Sequence, residues 1–386
     1  MKLMSIAGAR PNFMKIASIA NAIREHNSKA KNQSNQIETI RHIIVHTGQH
    51  YDQKMSQSFF DQLGIPEPDI NLGVGSGTHA AQTADIMKAF EKVLLKELPD
   101  ILLVVGDVNS TIACSLVAAK INYPDEKQIT RPLIVHVEAG LRSFDREMPE
   151  EINRILTDSL SDVLFITEQS GVDNLAKEGI DSEKVIFAGN VMIDTLQHHL
   201  RQAEQSHIKQ SLAIDYSYGL VTLHRPSNVD SPETLEPLID VLIDISDKKR
   251  LIFAVHPRTM NNLQRFNLIT KLERCNNILL TEPLSYLDFL HLTKDADLVI
   301  TDSGGIQEET TFLNIPCVTL RENTERPVTV DIGSNYLIGT DPDKILRTVN
   351  LILSGRGKTA TIPELWDGHA GERIIESLTE LWKNKN

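Results

Sequence analysis

The feature that most constrains the fold is a repeating pattern of short apolar segments along the chain. Each segment, often β-branched, is followed by a small polar or glycine-containing cluster and then by residues with helical periodicity. This order is typical of βα units, in which crossover helices connect the strands of a parallel sheet. The predicted strands are 3–7, 43–47, 101–105, 133–137, 163–167, 185–188, 220–223, 251–255, 278–280, 298–301 and 317–320.

The strand pattern occurs in two sets, which a polar segment separates. That segment, QHHLRQAEQSHIKQS, is rich in glutamine and histidine, so we expect His198 and His199 to be exposed. A chain of 386 residues with 41% hydrophobic content exceeds what one core usually supports, which predicts two or three domains. The two sets of strands favour two α/β domains. The predicted boundaries are 1–193, 194–366 and, for an amphipathic C-terminal helix, 367–386.

Charge and cysteine content exclude several classes of function. The 39 basic and 52 acidic residues leave a net charge of −13 without a basic run, so nucleic acid is not an expected partner. Cys114, Cys275 and Cys317 lie far apart, which predicts neither a disulfide framework nor a zinc site and is typical of the reducing cytoplasm. Because no apolar run reaches 18 residues, no membrane insertion is expected.

Polar clusters follow the predicted strands at their carboxyl ends. In an open parallel sheet, ligands bind beyond these ends because the loops there carry adaptable side chains. The abundance of ionisable groups therefore predicts a ligand site in a cleft between two domains. The clusters are GARPN at 8–12, HTGQHYD at 46–52, GDVNST at 106–111, EAGLRS at 138–143, HRPSNVD at 224–230, HPRT at 256–259 and DSGG at 302–305.

The DSGG cluster indicates a phosphate site. Ser303, Gly304 and Gly305 precede a helical segment, so backbone N–H groups at a helix start are available to a phosphate. Glu309, about one turn into that helix, is positioned for a ribose hydroxyl. The alternative is a tight glycine turn with acidic residues that favour the helix dipole. Neither a Walker motif nor a G-x-G-x-x-G fingerprint is present, which argues against ATP and NAD.

Three carboxylates follow consecutive strands or begin the next helix: Asp107, Glu138 and Glu150. Simpler roles exist for two of them, because Asp107 can accept bonds from nearby backbone donors and Glu150 can favour a helix start. Glu138 is different, since it directly follows the apolar segment LIVHV. A carboxylate in that position must be paired or functional.

Cationic and imidazole groups also lie at strand ends. Arg10 and Lys15 bracket the start of the predicted first helix and suit an anionic leaving group, although Lys15 taken alone is better explained as a solvated helix residue. His224 follows a strand of the second set, where a structural hydrogen-bonded histidine is the alternative. His46 and His50 have the spacing of a metal pair, but Gly48 opposes the helix that such a pair requires, so no metal site is predicted.

Taken together, the motifs resemble the non-hydrolysing UDP-N-acetylglucosamine 2-epimerase family over nearly the whole chain. The resemblance implies a fold of the GT-B type, with two Rossmann-like domains whose parallel sheets face a central cleft, and a C-terminal helix that returns to the first domain. It also implies a homodimer. The matching motifs are GARPNFMK, TGQHYD, GDVNST, HVEAGLRS, MPEEINR, GNVMIDT, HRPSNVD, HPRT, EPLSYLDF, TDSGGIQEE and ENTERPV.

The resemblance implies inversion at C2 of a UDP-linked 2-acetamido sugar. Loss of UDP and of the C2 proton yields a 2-acetamidoglucal, and UDP then adds back with a proton on the opposite face, without a cofactor or metal. The positions that match the family's catalytic residues are Asp107, Glu138, Glu150 and His224. The predicted substrate-binding residues are Arg10, Lys15, His256, Ser303, Gly304, Gly305, Glu309 and Arg326.

Several alternatives remain open at this point. Relatives with a similar HRPSNVD loop act on UDP-2,3-diacetamido-glucuronate, so the C3 and C6 substituents of the sugar are undetermined. Water addition to the glucal would instead release N-acetylmannosamine, and a glycosyltransferase on the same fold would require an acceptor pocket. Many family members bind an activating second substrate; here Gln49 and His50 are present, but GSGTHAAQT lacks the expected arginine, so activation is not predicted.

Overall fold

The computed structural model describes residues 1–32, 38–48, 64, 67–127 and 129–385. Three of these, Arg10, Asn32 and Lys385, are described by their backbone alone, and the predicted residues Gln49 and His50 lie outside the described residues. The chain divides into two compact units. The first comprises Met1–Thr195 with Glu364–Asn386, and the second comprises Leu196–Pro363.

Within the described residues, the first unit contains a seven-stranded sheet. All its strand pairs are parallel, in the order β3-β2-β1-β4-β5-β6-β7. The central strands are buried along their length because helices cover both faces of such a sheet. The strands are β1 (Lys2–Ala7), β2 (Arg41–His46), β3 (Ile70–Asn71), β4 (Ile101–Val105), β5 (Leu133–Ala139), β6 (Val163–Ile166) and β7 (Val185–Phe187).

The second unit contains a parallel sheet of six strands among the described residues. Its order is β10-β9-β8-β11-β12-β13, so the two edge strands are β10 and β13. The strands are β8 (Gly219–Thr222), β9 (Leu251–Ala254), β10 (Ile278–Thr281), β11 (Leu298–Thr301), β12 (Cys317–Thr319) and β13 (Asn335–Leu337).

Helices connect successive strands in both units, as is usual for crossovers between parallel strands, except between β2 and β3, where the connection lies largely outside the described residues. A short 3₁₀ helix, Ser182–Lys184, precedes β7. The α-helices are α1 (Arg10–Asn32), α2 (His79–Glu97), α3 (Asn109–Lys120), α4 (Pro149–Leu160), α5 (Gln169–Lys177), α6 (Val191–Ala203), α7 (Ile208–Ser211), α8 (Pro226–Val229), α9 (Pro232–Ser246), α10 (Pro257–Arg265), α11 (Ile269–Glu273), α12 (Tyr286–Lys294), α13 (Gly304–Phe312), α14 (Pro327–Asp331), α15 (Pro342–Leu353) and α16 (Ala370–Lys385).

Each unit has its own hydrophobic core. In the first, Phe90 and Leu94 of α2 pack with Leu102 and Val104 of β4, and all four are fully buried. In the second, the buried leucines and isoleucines of α9 pack with β9, β11 and α15. Burial of this kind contributes roughly 1.5–3 kcal/mol for each large apolar side chain.

The C-terminal segment is tied to the first unit through Asp194 and Trp366. Asp194 accepts bonds from the Ser18 hydroxyl at 2.6 Å and from the backbone N–H groups of Ala370 and Gly371 at 3.1 and 2.7 Å. Its burial raises its pKa. The Trp366 indole donates to the carbonyl of Thr167 at 3.0 Å. These bonds begin α16 next to α1, against which it packs.

The α/β class with two parallel sheets is confirmed, with two differences from the sequence pattern. Strands β3 and β13 have only two and three residues and lie at sheet edges. Their apolar segments are too short for the sequence pattern to identify them as strands. The expectation that His199 is exposed is wrong. It is 1% exposed because it shares a face of α6 with the buried Leu196 and Ala203, whereas His198 is exposed as expected.

Candidate active site

Lys15 and Glu138 form a buried ion pair at the carboxyl edge of the first sheet. Lys15 lies near the start of α1, and the two side chains are only 7% and 5% exposed. Glu138 has a φ of 73°, and the pairing of β5 with β6 shifts register at this residue. Such bulges re-aim a side chain. The local irregularity of β5 therefore brings the Glu138 carboxylate to the lysine.

Gly106 makes room for the lysine in the turn after β4. Its φ is 65°, and a Cβ atom at this position would lie 2.8 Å from the Lys15 ammonium nitrogen. Only glycine combines that backbone conformation with the close approach of Lys15. The next residue, Asp107, belongs to the same turn that approaches Lys15.

Asp107 is paired with Arg154, a residue of α4 that the sequence analysis missed. The Arg154 side chain is 3% exposed, and it forms salt bridges with Asp107 and, at 2.6 Å, with Glu151. Asp107 keeps 26% of its side chain exposed. The signal for Arg154 was present, because Glu151 and Arg154 have the i, i+3 spacing of a helical ion pair.

Glu150 and Glu151 begin α4 but have different environments. Glu151 is 1% exposed and accepts bonds from the backbone N–H groups of Ser143 at 3.0 Å and Phe144 at 2.9 Å. Burial opposes its ionisation, but these bonds and Arg154 lower its pKa. Glu150 is half-buried. Glu151 therefore holds the loop before α4 through Ser143 and Phe144 and does not cap the start of that helix.

Two asparagine amides hold the loops around these carboxylates. Asn12 donates to the carbonyl of Val105 at 2.9 Å and accepts from the N–H of Ala9 at 2.9 Å, so it joins the start of α1 to the end of β4. Asn153 donates to the backbone carbonyl of Asp107 at 2.8 Å. The structure thus brings Lys15, Asp107 and Glu138 to one sheet edge, with α4 bound to the same turn.

In the second unit, His224 is bonded to Asp302. The His224 Nδ1 atom lies 3.1 Å from the Asp302 carboxylate, which also accepts the backbone N–H groups of His224 and Arg225. Burial of Asp302 opposes its ionisation, but the His224 side chain lowers its pKa. The imidazole of His224 remains 40% exposed.

His256 lies beside His224, with a distance of 5.5 Å between the ring centroids. Desolvation and the neighbouring His224 lower the pKa of His256. Its Nδ1 atom accepts the backbone N–H of Arg258 at 3.2 Å, as an N-cap of α10. The two imidazoles follow neighbouring parallel strands, β8 and β9, as the sequence pattern indicated.

Helix α13 begins at the DSGG cluster with Ser303 as its N-cap. A Cβ atom at Gly304 would lie 2.7 Å from a carboxylate oxygen of Glu325, whereas a Cβ atom at Gly305 would meet nothing within 4 Å. The first turn of a helix leaves backbone N–H groups without intrahelical acceptors. The open space at Gly305 makes this helix start accessible to an anion.

A buried network of two arginines and two glutamates lies behind this helix start. Arg326 forms salt bridges with Glu308 and Glu325, each at 2.7 Å. Arg321 forms a further salt bridge with Glu325 at 2.7 Å. All four side chains are at most 7% exposed. Arg326 was predicted as a substrate-binding residue; the other members were missed, because their pairing joins α13 to a separate loop after β12.

Glu309 follows Glu308 in α13 and is 5% exposed. Burial, and secondarily the charge of Glu308, raises the pKa of Glu309 to about 7. Burial together with Glu309 also raises the pKa of Tyr286 above its ordinary value. Glu309 is therefore a buried carboxylic acid that changes charge near neutral pH.

The described residues provide no group of three or more His, Cys, Asp or Glu side chains suited to a metal ion. His46, one member of the histidine pair considered from the sequence, is 4% exposed and packs against Phe13 with ring centroids 5.1 Å apart. In the same part of the chain, no helix combines the length and apolar character needed to cross a bilayer.

Known proteins resemble this chain over nearly its whole length. Residues 32–379 match the family described as UDP-N-acetylglucosamine 2-epimerase. The UDP-N-acetylglucosamine 2-epimerase of Methanocaldococcus jannaschii is 42% identical over 385 residues, which cover 98% of this chain and 99% of the relative. The UDP-2,3-diacetamido-2,3-dideoxy-D-glucuronate 2-epimerase of Pseudomonas aeruginosa is 40% identical over 386 residues, which cover 99% of this chain and 100% of the relative.

A solved structure supports the same relationship. The crystal structure of the Methanocaldococcus jannaschii UDP-GlcNAc 2-epimerase in complex with UDP-GlcNAc and UDP has a TM-score of 0.85 and 41% identity to this chain, and the match covers 98% of this chain and 100% of that one. The resemblance and the expected α/β fold with two Rossmann-like parallel sheets are thus confirmed. By sequence and by structure, this chain belongs to the UDP-N-acetylglucosamine 2-epimerase family.

Proposed function

We propose that the protein inverts C2 of UDP-N-acetylglucosamine to give UDP-N-acetylmannosamine. The reaction proceeds by elimination of UDP to a 2-acetamidoglucal and re-addition of UDP, so that the nucleotide is retained in the product. The observation that carries this proposal is the buried Lys15–Glu138 ion pair next to the Gly106–Asp107 turn. The names of the Methanocaldococcus jannaschii and Pseudomonas aeruginosa relatives support a UDP-linked 2-acetamido sugar as the substrate.

The chemistry explains why carboxylates and cations are both required. The C2 hydrogen of the sugar is not adjacent to a carbonyl, so its removal must be coupled to departure of the anomeric diphosphate. The negative charge that develops on that leaving group requires fixed positive partners. We assign this role to Lys15, Arg10, His224 and the start of α13.

Inversion also requires proton transfer at both faces of C2, and therefore more than one acid or base. We propose Glu138, Asp107 and Glu150 for these transfers. The ammonium of Lys15 supports a charged, base-competent Glu138, since an adjacent opposite charge favours the ionised form. Asp107 combines a salt bridge to Arg154 with partial exposure, which suits a group that must reach a substrate.

The second unit supplies the proposed nucleotide contacts. The backbone at Ser303, Gly304 and Gly305 binds the diphosphate, Glu309 binds the ribose and His224 lies near the pyrophosphate. His256 and Arg326 complete the predicted substrate-binding set. A cleft shared by the two sheets, a homodimer and a cytoplasmic location stay predictions that accompany this function.

The decisive experiment incubates the pure protein with UDP-N-acetylglucosamine in heavy water and follows C2 by NMR. Deuterium at C2 of a sugar that still carries UDP is the expected result, together with the UDP-N-acetylmannosamine signal. Release of free N-acetylmannosamine would indicate the hydrolysing reaction instead. If no exchange occurs with either this sugar or UDP-2,3-diacetamido-glucuronate, the proposal is wrong.

A second candidate substrate is UDP-2,3-diacetamido-glucuronate. The 40% identity to the Pseudomonas aeruginosa enzyme favours it almost as strongly as the 42% identity to the Methanocaldococcus jannaschii enzyme favours UDP-N-acetylglucosamine. Measurement of kcat/KM for both sugars under identical conditions distinguishes the two. We expect UDP-N-acetylglucosamine to have the higher value.

A further inference from the structure

His136 is a completely buried residue of β5 whose two ring nitrogens both face acceptors. Its Nδ1 atom lies 2.6 Å from the Asp158 carboxylate, and its Nε2 atom lies 2.9 Å from the backbone carbonyl of Gly106. A neutral imidazole has one N–H and could donate to only one of these groups. The imidazolium, with two N–H groups, satisfies both.

Asp158 provides the negative charge that such an imidazolium requires. Its second oxygen accepts the backbone N–H of Gly140 at 3.0 Å and forms a salt bridge with Arg142 at 2.7 Å. Arg142 in turn pairs with Glu178 at 2.7 Å. With His136 as the imidazolium that its two hydrogen bonds require, two cations alternate with two carboxylates, an arrangement in which each buried charge has a partner.

The same cluster fixes two turns that carry proposed catalytic groups. Gly106, which accepts the bond from His136, immediately precedes Asp107. Gly140, which donates to Asp158, lies two residues after Glu138. All of Gly106, Glu138 and Gly140 have positive φ values, of 65°, 73° and 76°. Glycine adopts such values readily, but at Glu138 a positive φ persists only where the surrounding structure determines it strongly.

We infer that His136 is a positioning residue for the proposed epimerisation. As an imidazolium held by Asp158, it donates to the Gly106 carbonyl and so fixes the turn that directs Asp107, while Asp158 fixes the turn after Glu138. The catalytic consequence rests on the proposed function; the hydrogen-bond arrangement does not. The competing explanation is a buried pair that stabilises the sheet and leaves turnover unaffected.

Two variants separate the two hydrogen bonds of the ring. In His136→Gln, the amide nitrogen takes the place of Nε2 and can still donate to Gly106. In His136→Asn, it takes the place of Nδ1 and can still donate to Asp158, but the bond to Gly106 is lost. Both side chains are neutral, and both variants retain the salt bridge between Asp158 and Arg142.

The kinetic test compares these variants in the C2 exchange reaction. We expect kcat of His136→Asn to fall about a hundredfold, since small displacements of reacting groups have effects of that size, with KM changed less than about threefold. His136→Gln should retain at least about a tenth of the wild-type kcat. Tyr123→Phe is the matched control, because it removes a buried bond of 2.9 Å to Pro99 at the opposite end of β4 and should leave kcat unchanged.

Two measurements without substrate keep the inference independent of the proposed function. In histidine-labelled wild-type protein, NMR should detect both ring N–H groups of His136 at neutral pH. Amide exchange should show that the Gly106 N–H, which donates to Val137 at 3.1 Å, loses protection in His136→Asn but not in His136→Gln or Tyr123→Phe.

The outcomes separate the two proposals. If the wild-type protein turns over neither UDP-sugar, the proposed function is wrong, and the NMR and amide-exchange results still decide whether His136 positions the turn. A single ring N–H on His136, or equal Gly106 protection in all variants, would overturn the inference. So would folded His136→Asn and His136→Gln proteins whose kcat values are equal.

Discussion

The Lys15 ammonium and the Glu138 carboxylate form an ion pair from which water is almost excluded, with the two side chains 7% and 5% exposed. Removing two charges from water costs several kcal/mol for each ion, and their mutual attraction offsets this cost only when the geometry is good. A pair of this kind contributes little net stability. The position of the pair at a strand end, where Gly106 leaves room for Lys15, instead suits the role that we propose for the Glu138 carboxylate.

Replacement of Lys15 by Met should destabilise the first unit. The Glu138 carboxylate would lose its buried ammonium partner, which typically costs about 3–5 kcal/mol. The double variant Lys15→Met with Glu138→Gln should recover much of that loss, because the uncompensated charge is absent. Urea unfolding of the wild type, both single variants and the double variant measures the coupling. Additive effects of the two substitutions would contradict the described pair.

Substitutions at Glu150 and Glu151 should affect different properties, the first the rate of C2 exchange and the second the stability of the fold. Glu150→Gln should slow deuterium exchange at C2 about a hundredfold, as expected for loss of an acid or base, with little change in unfolding. Glu151→Gln should destabilise by about 2 kcal/mol, because Glu151 accepts bonds from Ser143, Phe144 and Arg154 as a charged group. Exchange rates and thermal unfolding of both variants provide the comparison. Equal stability of the two would show that the buried position of Glu151 is misassigned.

Gly304 and Gly305 provide a matched pair at the proposed diphosphate site. Gly304→Ala should destabilise the second unit and weaken UDP binding, because the new methyl group would lie 2.7 Å from Glu325. Gly305→Ala should not destabilise the protein, since nothing lies within 4 Å of its Cβ position and alanine is favoured over glycine in a helix. Calorimetric titration with UDP then tests whether phosphate occupies the open space at Gly305. If it does, Gly305→Ala should bind UDP more weakly. Unchanged UDP binding in both variants would place the diphosphate elsewhere.

Glu309 should make stability depend on pH. Its pKa is raised from 4.5 to about 7 in the folded protein. Between these values the folded protein holds a proton that the unfolded chain releases, so the free energy of unfolding decreases as pH rises through this range. Glu309→Gln lacks this proton. Relative to the wild type, its free energy of unfolding should therefore rise by about 2 kcal/mol as the pH is raised from 5 to 8.

The measurement is urea unfolding of wild type and Glu309→Gln across that pH range, with Glu376→Gln as the control on an exposed position of α16. If the free energies of unfolding of wild type and Glu309→Gln differ by the same amount at every pH in this range, Glu309 is charged throughout it. The control should follow the wild type.

The sequence alone located the strand ends that carry the candidate residues. Asp107, Glu138, His224 and the DSGG turn were placed correctly at carboxyl ends of parallel strands, because apolar runs and glycine-containing turns are local signals. For His199, the local sequence pattern gave a wrong prediction of exposure. A polar composition indicates a surface segment, but it does not determine which side of a helix meets a core.

The local order of the chain thus determined two parallel sheets and the turns in which candidate residues lie. Only the tertiary structure decided which charged groups are paired: Lys15 with Glu138, Asp107 with Arg154, His136 with Asp158 and Arg326 with Glu308. Most of these partners are distant in sequence and become neighbours only when helices pack beside strands. Since the energy of a buried charge depends on its partner and its exclusion from water, its role could not be derived from residue type and spacing.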